Sequence, residues 1–444
     1  MSSVSTATRL LTARWVLPIS AAPVENGGIE IAGDHIVAIH SAEQLKHRLD
    51  QLGDSPIAKV EDFGKAIIVP GLINLHTHVE WTGQELVDTQ LPLFEWIPTL
   101  VKFSKAWSVE DFLTSAASGV RRIAGSGTTC ILDSSYSGQA AVAMTAAGLR
   151  GVVAMELFGI VESEAESTWN KWLQRREQLM ENAKISDLIK VSVAPHAPYT
   201  VAPALLRKAV DWASDQGMPW TLHLAESASE FNWIQSGDAA LDGFVKKMHV
   251  LPEGDVEKIP FRNCGKTPVQ HLDHARLLDP CLVAAHAVQL TDADVATLAA
   301  RRVKVAHCPR SNARLRNGAA RLRRLMEAGI TVGFGTDSAA STDDLDVLAE
   351  ARFAFNLARA LDPQFPFQSK HAIEALTIEA AKAIGMSDLI GSLDKGKQAD
   401  IAIFNIVSDG PWAEKSPYDA LLYGNVQLQE LFVSGRKVAA NALY

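Results

Sequence analysis

Eight short runs of apolar and β-branched residues, most followed by a longer stretch with helical spacing, leave this chain few folds to choose from. The runs cover residues 66–76, 128–133, 151–157, 189–195, 220–224, 282–286, 303–307 and 331–335. Helical spacing follows at 109–124, 203–216, 292–301, 345–360 and 373–385. Alternation of this kind is the mark of repeated βα units and a parallel sheet. Eight such strands close naturally into a (β/α)8 TIM barrel, which makes the chain an α/β protein. A doubly wound open sheet is the competing arrangement, but no GxGxxG follows the first run to support it.

The two ends have a different texture. Short strands separated by turns are expected at 8–16, 28–32 and 35–40, and again at 400–406, 429–433 and 437–440. Neither end has strands enough to hide an apolar face alone. Residues 1–68 and 389–444 are therefore expected to form the two halves of one small β-sandwich beside a barrel domain at 69–388. At 444 residues, with 47% hydrophobic and 21% charged, the chain can bury both cores and is no disordered segment.

Charge and cysteine usage narrow the partners. The net charge of −9 disfavours a nucleic-acid binder working through a basic surface. Cys130, Cys264, Cys281 and Cys308 are scattered with no CxxC, so neither a disulfide framework nor a cysteine metal site is expected. No basic stretch followed by an apolar segment opens the sequence. No segment reaches the roughly 20 apolar residues of a membrane span. The expectation is a cytoplasmic protein with a small-molecule substrate, no nucleic-acid or membrane partner, and room for a homo-oligomer.

Chemistry gathers at the strand ends. His76 and His78 close the first run, and alternation puts residues two apart on one face, where both imidazoles can meet one ion. On that spacing alone, a satisfied pair of core histidines is as good a reading. His196, His223, Glu226, His286, His307 and Asp337 then appear at the ends of later runs. In a barrel these positions converge on the C-terminal face, where active sites sit. One shared metal site accounts for them better than separate packing roles do.

The segments "PGLINLHTH", "APHAPYT", "HLAES", "AAHAVQL", "AHCPRSN" and "GTDSAAS", in this order, resemble the amidohydrolase superfamily. The branch they resemble contains chlorotriazine hydrolases, guanine and cytosine deaminases, and adenosine-type nucleoside deaminases. "GSLDKGKQADIAIF" and "LFVSGRKVA" resemble the closing strands of its small β domain. The resemblance implies one divalent ion held by His76, His78, His223 and Asp337. This donor set suits Zn²⁺, with Fe²⁺ or Mn²⁺ as alternatives. Binuclear members use a lysine near the end of strand four. Here Lys190 lies at that strand's beginning, so one ion is expected. The catalytic residues implied are Asp337 as acceptor of the water proton, His286 orienting the nucleophile, and Glu226 protonating the ring nitrogen beside the attacked carbon.

Other residues carry competing readings. His196, Arg310 and Trp96 are expected to bind substrate: His196 from its place in "APHAPYT", Arg310 as the partner of a substrate anion, and Trp96 as an apolar wall. For Trp96, and for Trp81 beside it, packing is the stronger alternative. For Arg310 the alternative is a brace to Asp337, Asp343 or backbone carbonyls. His307 is balanced between packing and function. Cys308 reads as a small buried residue, and Glu230 as the partner of Ser227 in a capping box. The histidines at 35, 40, 47, 249, 271, 274 and 371 read as surface residues. The basic run from 301 to 324 reads as a solvated face after residue 320. The long stretch from Ser229 to Lys266 is expected to be a lid or specificity loop.

The function implied is a mononuclear metal-dependent hydrolytic deaminase that releases ammonia from an exocyclic amine of a heteroaromatic base or nucleoside. Deaminases of S-adenosylhomocysteine and methylthioadenosine carry a ribose-binding glutamate where this chain has Lys105, which speaks against them. "HTHVE", "LFEWI" and "HCPRSN" look more like the aminodeoxyfutalosine-deaminase branch. The alternatives are a C–X hydrolase such as a chlorotriazine-type dechlorinase, or a guanine-, pterin- or adenosine-type deaminase.

Overall fold

The computed structural model describes residues 8–52, 58–84, 90–249, 251, 255–407 and 416–439. Its first strands are β1 (Thr8–Val16), β2 (Val24–Ala32), β3 (His35–His40), β4 (Ala58–Asp62) and β5 (Ala66–Pro70). Then come β6 (Leu72–Thr77), β7 (Thr128–Ser135), β8 (Arg150–Leu157), β9 (Ile189–Pro195), β10 (Trp220–Leu224), β11 (Leu282–His286), β12 (Lys304–His307) and β13 (Val332–Phe334). The last are β14 (Ile401–Ile406), β15 (Val426–Val433) and β16 (Arg436–Lys437). Residue 440, expected in the final strand, lies outside the described residues.

The first expected run, 66–76, is two strands rather than one. It breaks at Gly71, after a proline that has no N–H to give a ladder. A Cβ at position 71 would lie 2.1 Å from Thr129 Oγ1, so only glycine lets the chain cross there. β5 stays with the terminal sheet and β6 enters the central one.

β6 to β9 form one parallel sheet in sequence order, and β10 to β13 form a second. Their edges meet at the strand ends. The His223 N–H donates to the His196 carbonyl (3.0 Å), and the Asp337 N–H to the His76 carbonyl (2.9 Å). Asn74 Nδ2 also donates to Thr336 Oγ1 at 2.8 Å. Together with the intervening helices this makes a TIM-barrel-like α/β unit. Alternation sorts its side chains into two layers. Ile73, Leu75, Cys130, Leu132, Val152, Ala154, Val283 and Ala306 pack as an inner cluster, closed by Ala380, Ala381 and Ile384. Leu72, Ile131, Val153, Val193, Leu222, Val305 and Phe334 face the helices.

The helices begin where the sequence carries caps. Ser108 and Asp111 form a capping box for Val109–Gly125, as Thr291 and Asp294 do for Asp292–Ala300. The pattern at 373–385 is instead two helices, Ser369–Ala375 and Ile378–Ala383. Between them the Leu376 carbonyl accepts from the Ile73 N–H of β6 (2.8 Å) rather than from its own helix. Among the described residues no helix is long and apolar enough to cross a membrane.

Both ends of the chain share one sheet of order β16-β15-β14-β5-β1-β2-β3, with β4 on β1. β14 runs antiparallel to β5, pairing Ile401 with Pro70 through Asn405 with Ala66. A buried ion pair ties this sheet to the strands that bear the site. Arg150, at the start of β8, donates to Asp400 Oδ2 at 2.7 Å and to Ser434 Oγ at 3.0 Å, and also bonds Gln398.

Candidate metal and proton-transfer site

The polar residues of the strand ends meet at one buried point. The His76 ring lies 4.8 Å from that of His78, 4.9 Å from His223 and 5.2 Å from His286, centroid to centroid. Asp337 Oδ1 lies 3.7 Å from His76 Nε2 and 3.6 Å from His78 Nε2, while His78 Nε2 and His223 Nε2 are 3.2 Å apart. The other oxygen of Asp337, Oδ2, accepts from Ser311 Oγ (2.6 Å) and Ser341 Oγ (3.2 Å), which turns Oδ1 toward the histidines.

Burial and tautomer prepare the imidazoles as donors. Burial, then the neighbouring histidines, lowers His76 and His223 well below the usual histidine range. His78 is lowered by burial against the pull of Asp337. His223 Nδ1 donates to the His196 carbonyl at 2.8 Å, which leaves Nε2 a lone pair. Both ring nitrogens of His76, Nδ1 of His78 and Nε2 of His286 are buried without a hydrogen-bond partner among the described residues. Unpaired polar atoms in an interior are costly unless a ligand completes them. The donor set of neutral imidazoles and one carboxylate therefore fits a divalent ion.

Glu226 stands beside this set. Its Oε1 is 3.8 Å from His286 Nε2 and accepts from Asn317 Nδ2 at 2.9 Å. Burial raises its pKa, opposed by His286 and by the bond from Asn317. His286 Nδ1 is bonded to Asn312 Oδ1 at 2.8 Å. Backbone strain collects here: His286 (φ 72°), Ala287 (φ 49°), Ala225 (φ 51°) and Asp337 (φ 62°) all sit in the left-handed region without being glycine. Gly335 permits the close approach of β13, since a Cβ there would lie 2.6 Å from His76 Cβ.

His196 belongs to the same mouth. Its ring stacks on Phe158 (4.7 Å between centroids) and stands 4.9 Å from His223, with Nδ1 bonded to Thr200 Oγ1. Trp96 lies in the helix Leu93–Ser104, buried among Trp81, Phe112, Leu315 and Ala340. His307 turns the other way. It shares the outward face of β12 with Val305 and packs near Phe334 (6.1 Å between centroids). Cys308 is buried, which pushes its thiol well above the usual range.

Arg310 corrects the expectation of an anion contact. Its Nε donates to Glu350 Oε1 (2.6 Å), and Nη1 and Nη2 grip Asp344 at 2.9 and 2.6 Å. The planar fork that would hold a substrate carboxylate already holds one from the protein. Arg310 braces its loop as the competing reading held, through the Asp346 carbonyl (3.4 Å) and the carboxylates of Asp344 and Glu350 rather than those of Asp337 or Asp343.

The capping role of Glu230 is present in altered form. Ser227 Oγ accepts from the Glu230 N–H (3.1 Å), while the Glu230 carboxylate accepts from the N–H groups of Ala225 (3.0 Å) and Glu226 (2.8 Å). It pins the backbone of Glu226 instead of closing the box on Ser227. Four of the histidines read as surface residues are half-buried, His40, His249, His271 and His371, and burial lowers His249 and His271 to about 4. In the stretch from Ser229 to Lys266, Trp233, Ile234, Phe244 and Phe261 pack with Phe94, Ile160, Ala197 and Tyr199 around the strand ends. Residues 250 and 252–254 of that stretch lie outside the described residues.

Sequence reasoning missed a ring of supporting groups. Glu156 Oε1 is 3.7 Å from His78 Nδ1. It follows Val152 and Ala154 on the inward face of β8, so alternation could have found it. Ser311, Asn312 and Asn317 carry no periodic signal.

Fold and donor set together mark out a class: α/β proteins of TIM-barrel type with a His-rich centre able to hold a metal. The model of the amidohydrolase family matches residues 67–438, and the chain belongs to that family. It is 31% identical, over 93% of its length and 88% of the relative's, to a 5-methylthioadenosine/S-adenosylhomocysteine deaminase of Syntrophobacter fumaroxidans (strain DSM 10017 / MPOB). Among solved structures it resembles a zinc-bound adenosine deaminase of Xanthomonas campestris, with TM-score 0.81, 25% identity, and coverage of 97% of this chain and 92% of that one. An aminofutalosine deaminase of Helicobacter pylori in complex with methylthio-coformycin shares the fold, with TM-score 0.81, 20% identity, and coverage of 97% and 100%. The family resemblance read from the six motifs holds. Relatives similar in sequence bear the name that Lys105 spoke against, while an aminofutalosine deaminase is among the structural neighbours.

Proposed function

We propose that this protein is a metal-dependent hydrolytic deaminase that releases ammonia from the exocyclic amine of a nucleoside-like base. It is an amidohydrolase acting on carbon–nitrogen bonds other than peptide bonds, of the cyclic-amidine deaminase type. The observation that carries the reading is the buried carboxyl of Glu226, raised in pKa, beside the cluster of His76, His78, His223 and Asp337.

These four residues would hold one divalent ion, Zn²⁺ before Fe²⁺ or Mn²⁺. Lys190, exposed at the start of β9, is no candidate to bridge a second. When bound, the ion lowers the pKa of water to about 7 and makes a nucleophile available at neutral pH. Asp337 Oδ1, free of the bonds that occupy Oδ2, accepts the water proton. Glu226 delivers a proton to the ring nitrogen next to the attacked carbon, which makes that carbon electrophilic. His286 presents Nε2 to the charge that develops there. The amine takes the proton held on Asp337 and departs as ammonia, while the added hydroxyl returns its proton to Glu226 as the carbonyl forms. His196 and Trp96 form walls of the substrate site, and the small molecule is its only ligand in this reading.

Two observations bear on the substrate. The similar relative is named for adenine nucleosides. Arg310, expected to hold the anion of a benzoate-bearing nucleoside such as aminodeoxyfutalosine, is paired with Glu350 and Asp344 instead. An adenine nucleoside with an uncharged 5′ substituent is therefore the first compound to try. The same reading takes the two parallel sheets as one closed barrel at 69–388. It takes the terminal sheet as a sandwich of residues 1–68 and 389–444. Four free cysteines suit a reducing, cytoplasmic setting.

The test is an ammonia-release assay on the zinc-loaded protein with 5-methylthioadenosine, S-adenosylhomocysteine, adenosine, guanine and a chlorotriazine. Ammonia from an adenine nucleoside supports the reading. Chloride release without ammonia would replace it with the C–X hydrolase alternative.

A further inference from the structure

One short segment touches all three groups that the proposed reaction uses. Ser311 donates to Asp337, Asn312 bonds to His286, and Asn317 Nδ2 donates to Glu226 Oε1 at 2.9 Å. Asn317 is itself fixed by its backbone. Its N–H donates to the Asn312 carbonyl at 2.8 Å, and its own carbonyl accepts from Gln289 Nε2 at 2.6 Å. The Gln289 N–H in turn donates to the carbonyl of Ala225, the residue before Glu226, at 2.8 Å. With Glu230 on the Glu226 N–H, that glutamate is held at both backbone and carboxyl.

Resting on the deaminase reading, we propose that Asn317 is a positioning residue that decides which oxygen of Glu226 carries the transferable proton. An amide N–H on Oε1 makes that oxygen an acceptor, so the proton resides on Oε2. Asn317 is buried at 4% exposure. Without it the carboxyl can turn and put its proton on either oxygen, one of which faces His286 Nε2 rather than a substrate ring.

The experiment compares Asn317→Ala, Asn317→Asp, Glu226→Gln and the double variant Asn317→Ala/Glu226→Gln, all zinc-loaded, on the nucleoside that the wild type deaminates. Asn317→Ala is expected to lower kcat by about 10- to 100-fold, the cost of leaving the buried Glu226 oxygen without its donor, with KM and metal content unchanged. In the double variant the loss should equal that of Glu226→Gln alone, because Asn317 acts only through a proton that glutamine lacks. Asn317→Asp keeps the shape but offers an acceptor, and should lose at least as much at unchanged Tm. A readout independent of turnover is the infrared carboxyl band that Glu226→Gln abolishes, which should shift in Asn317→Ala. Wild-type kcat in either single variant, losses that multiply in the double variant, or an unmoved band would overturn the proposal. If the wild type releases no ammonia while Asn317→Ala still shifts the band, the deaminase reading falls and only the hold of Asn317 on the Glu226 carboxyl stands.

Discussion

The strand-end mouth and the seam beneath it both bury charge, and they treat it in opposite ways. At the seam Arg150 is paired with Asp400 and bonded to Ser434 and Gln398. At the mouth, among the described residues, His76 has both ring nitrogens unpartnered, and His78 and His286 each leave one. Satisfied buried charge gives the fold its register. Unsatisfied donors converging on one point are reserved for something that arrives later. Arg310 teaches the same lesson from between the two: it stands near the mouth but is paired as a seam residue is.

The largest effects should break the mouth. His76→Asn or Asp337→Asn is expected to abolish turnover with loss of bound metal, read by metal analysis beside ammonia release. Normal metal content with full activity would remove these residues from the site. Glu226→Gln should lower kcat by about 10²–10⁴-fold while metal content stays normal, since glutamine keeps the shape but moves no proton. The seam should respond in stability instead. Arg150→Met leaves a carboxylate buried without its cation and should cost about 3–5 kcal/mol in denaturant unfolding, with kcat nearly unchanged. A large fall in kcat at full stability would mean that the contrast between the regions is false. The smallest effect sharpens the contrast. Glu156→Gln should weaken metal affinity by less than about 10-fold, since at 3.7 Å Glu156 faces His78 Nδ1 without a hydrogen bond to orient it. Titration with a competing chelator measures it.

Much of this was legible in the chain itself. The strand runs and their polar ends followed from alternation, and the HxH of His76 and His78 fell where both rings share one point. Arg310 was misread because its place after a strand is visible in sequence, whereas the approach of Asp344 and Glu350, 34 and 40 residues later, is not. Glu156 was passed over inside an apolar run although its parity gave it away. The break at Gly71 was hidden because residues on either side are equally apolar, and only the nearness of Thr129 forces it. Asn317 could not have been found: a lone amide in an irregular segment has no period to betray it.

The Arg150–Asp400 pair also has a meaning in time. Its two residues are 250 positions apart, so most of the polypeptide must be synthesised before the second follows the first. β5 waits longer still for β14, whose paired residues lie 331 to 339 positions further on. Domains emerging from a ribosome tend to fold in order, but here the floor of the third central strand holds an unanswered cation until the last tenth of the message is read. A nascent chain stalled or cut before residue 400 would thus carry its whole catalytic cluster and still lack what neutralises its base.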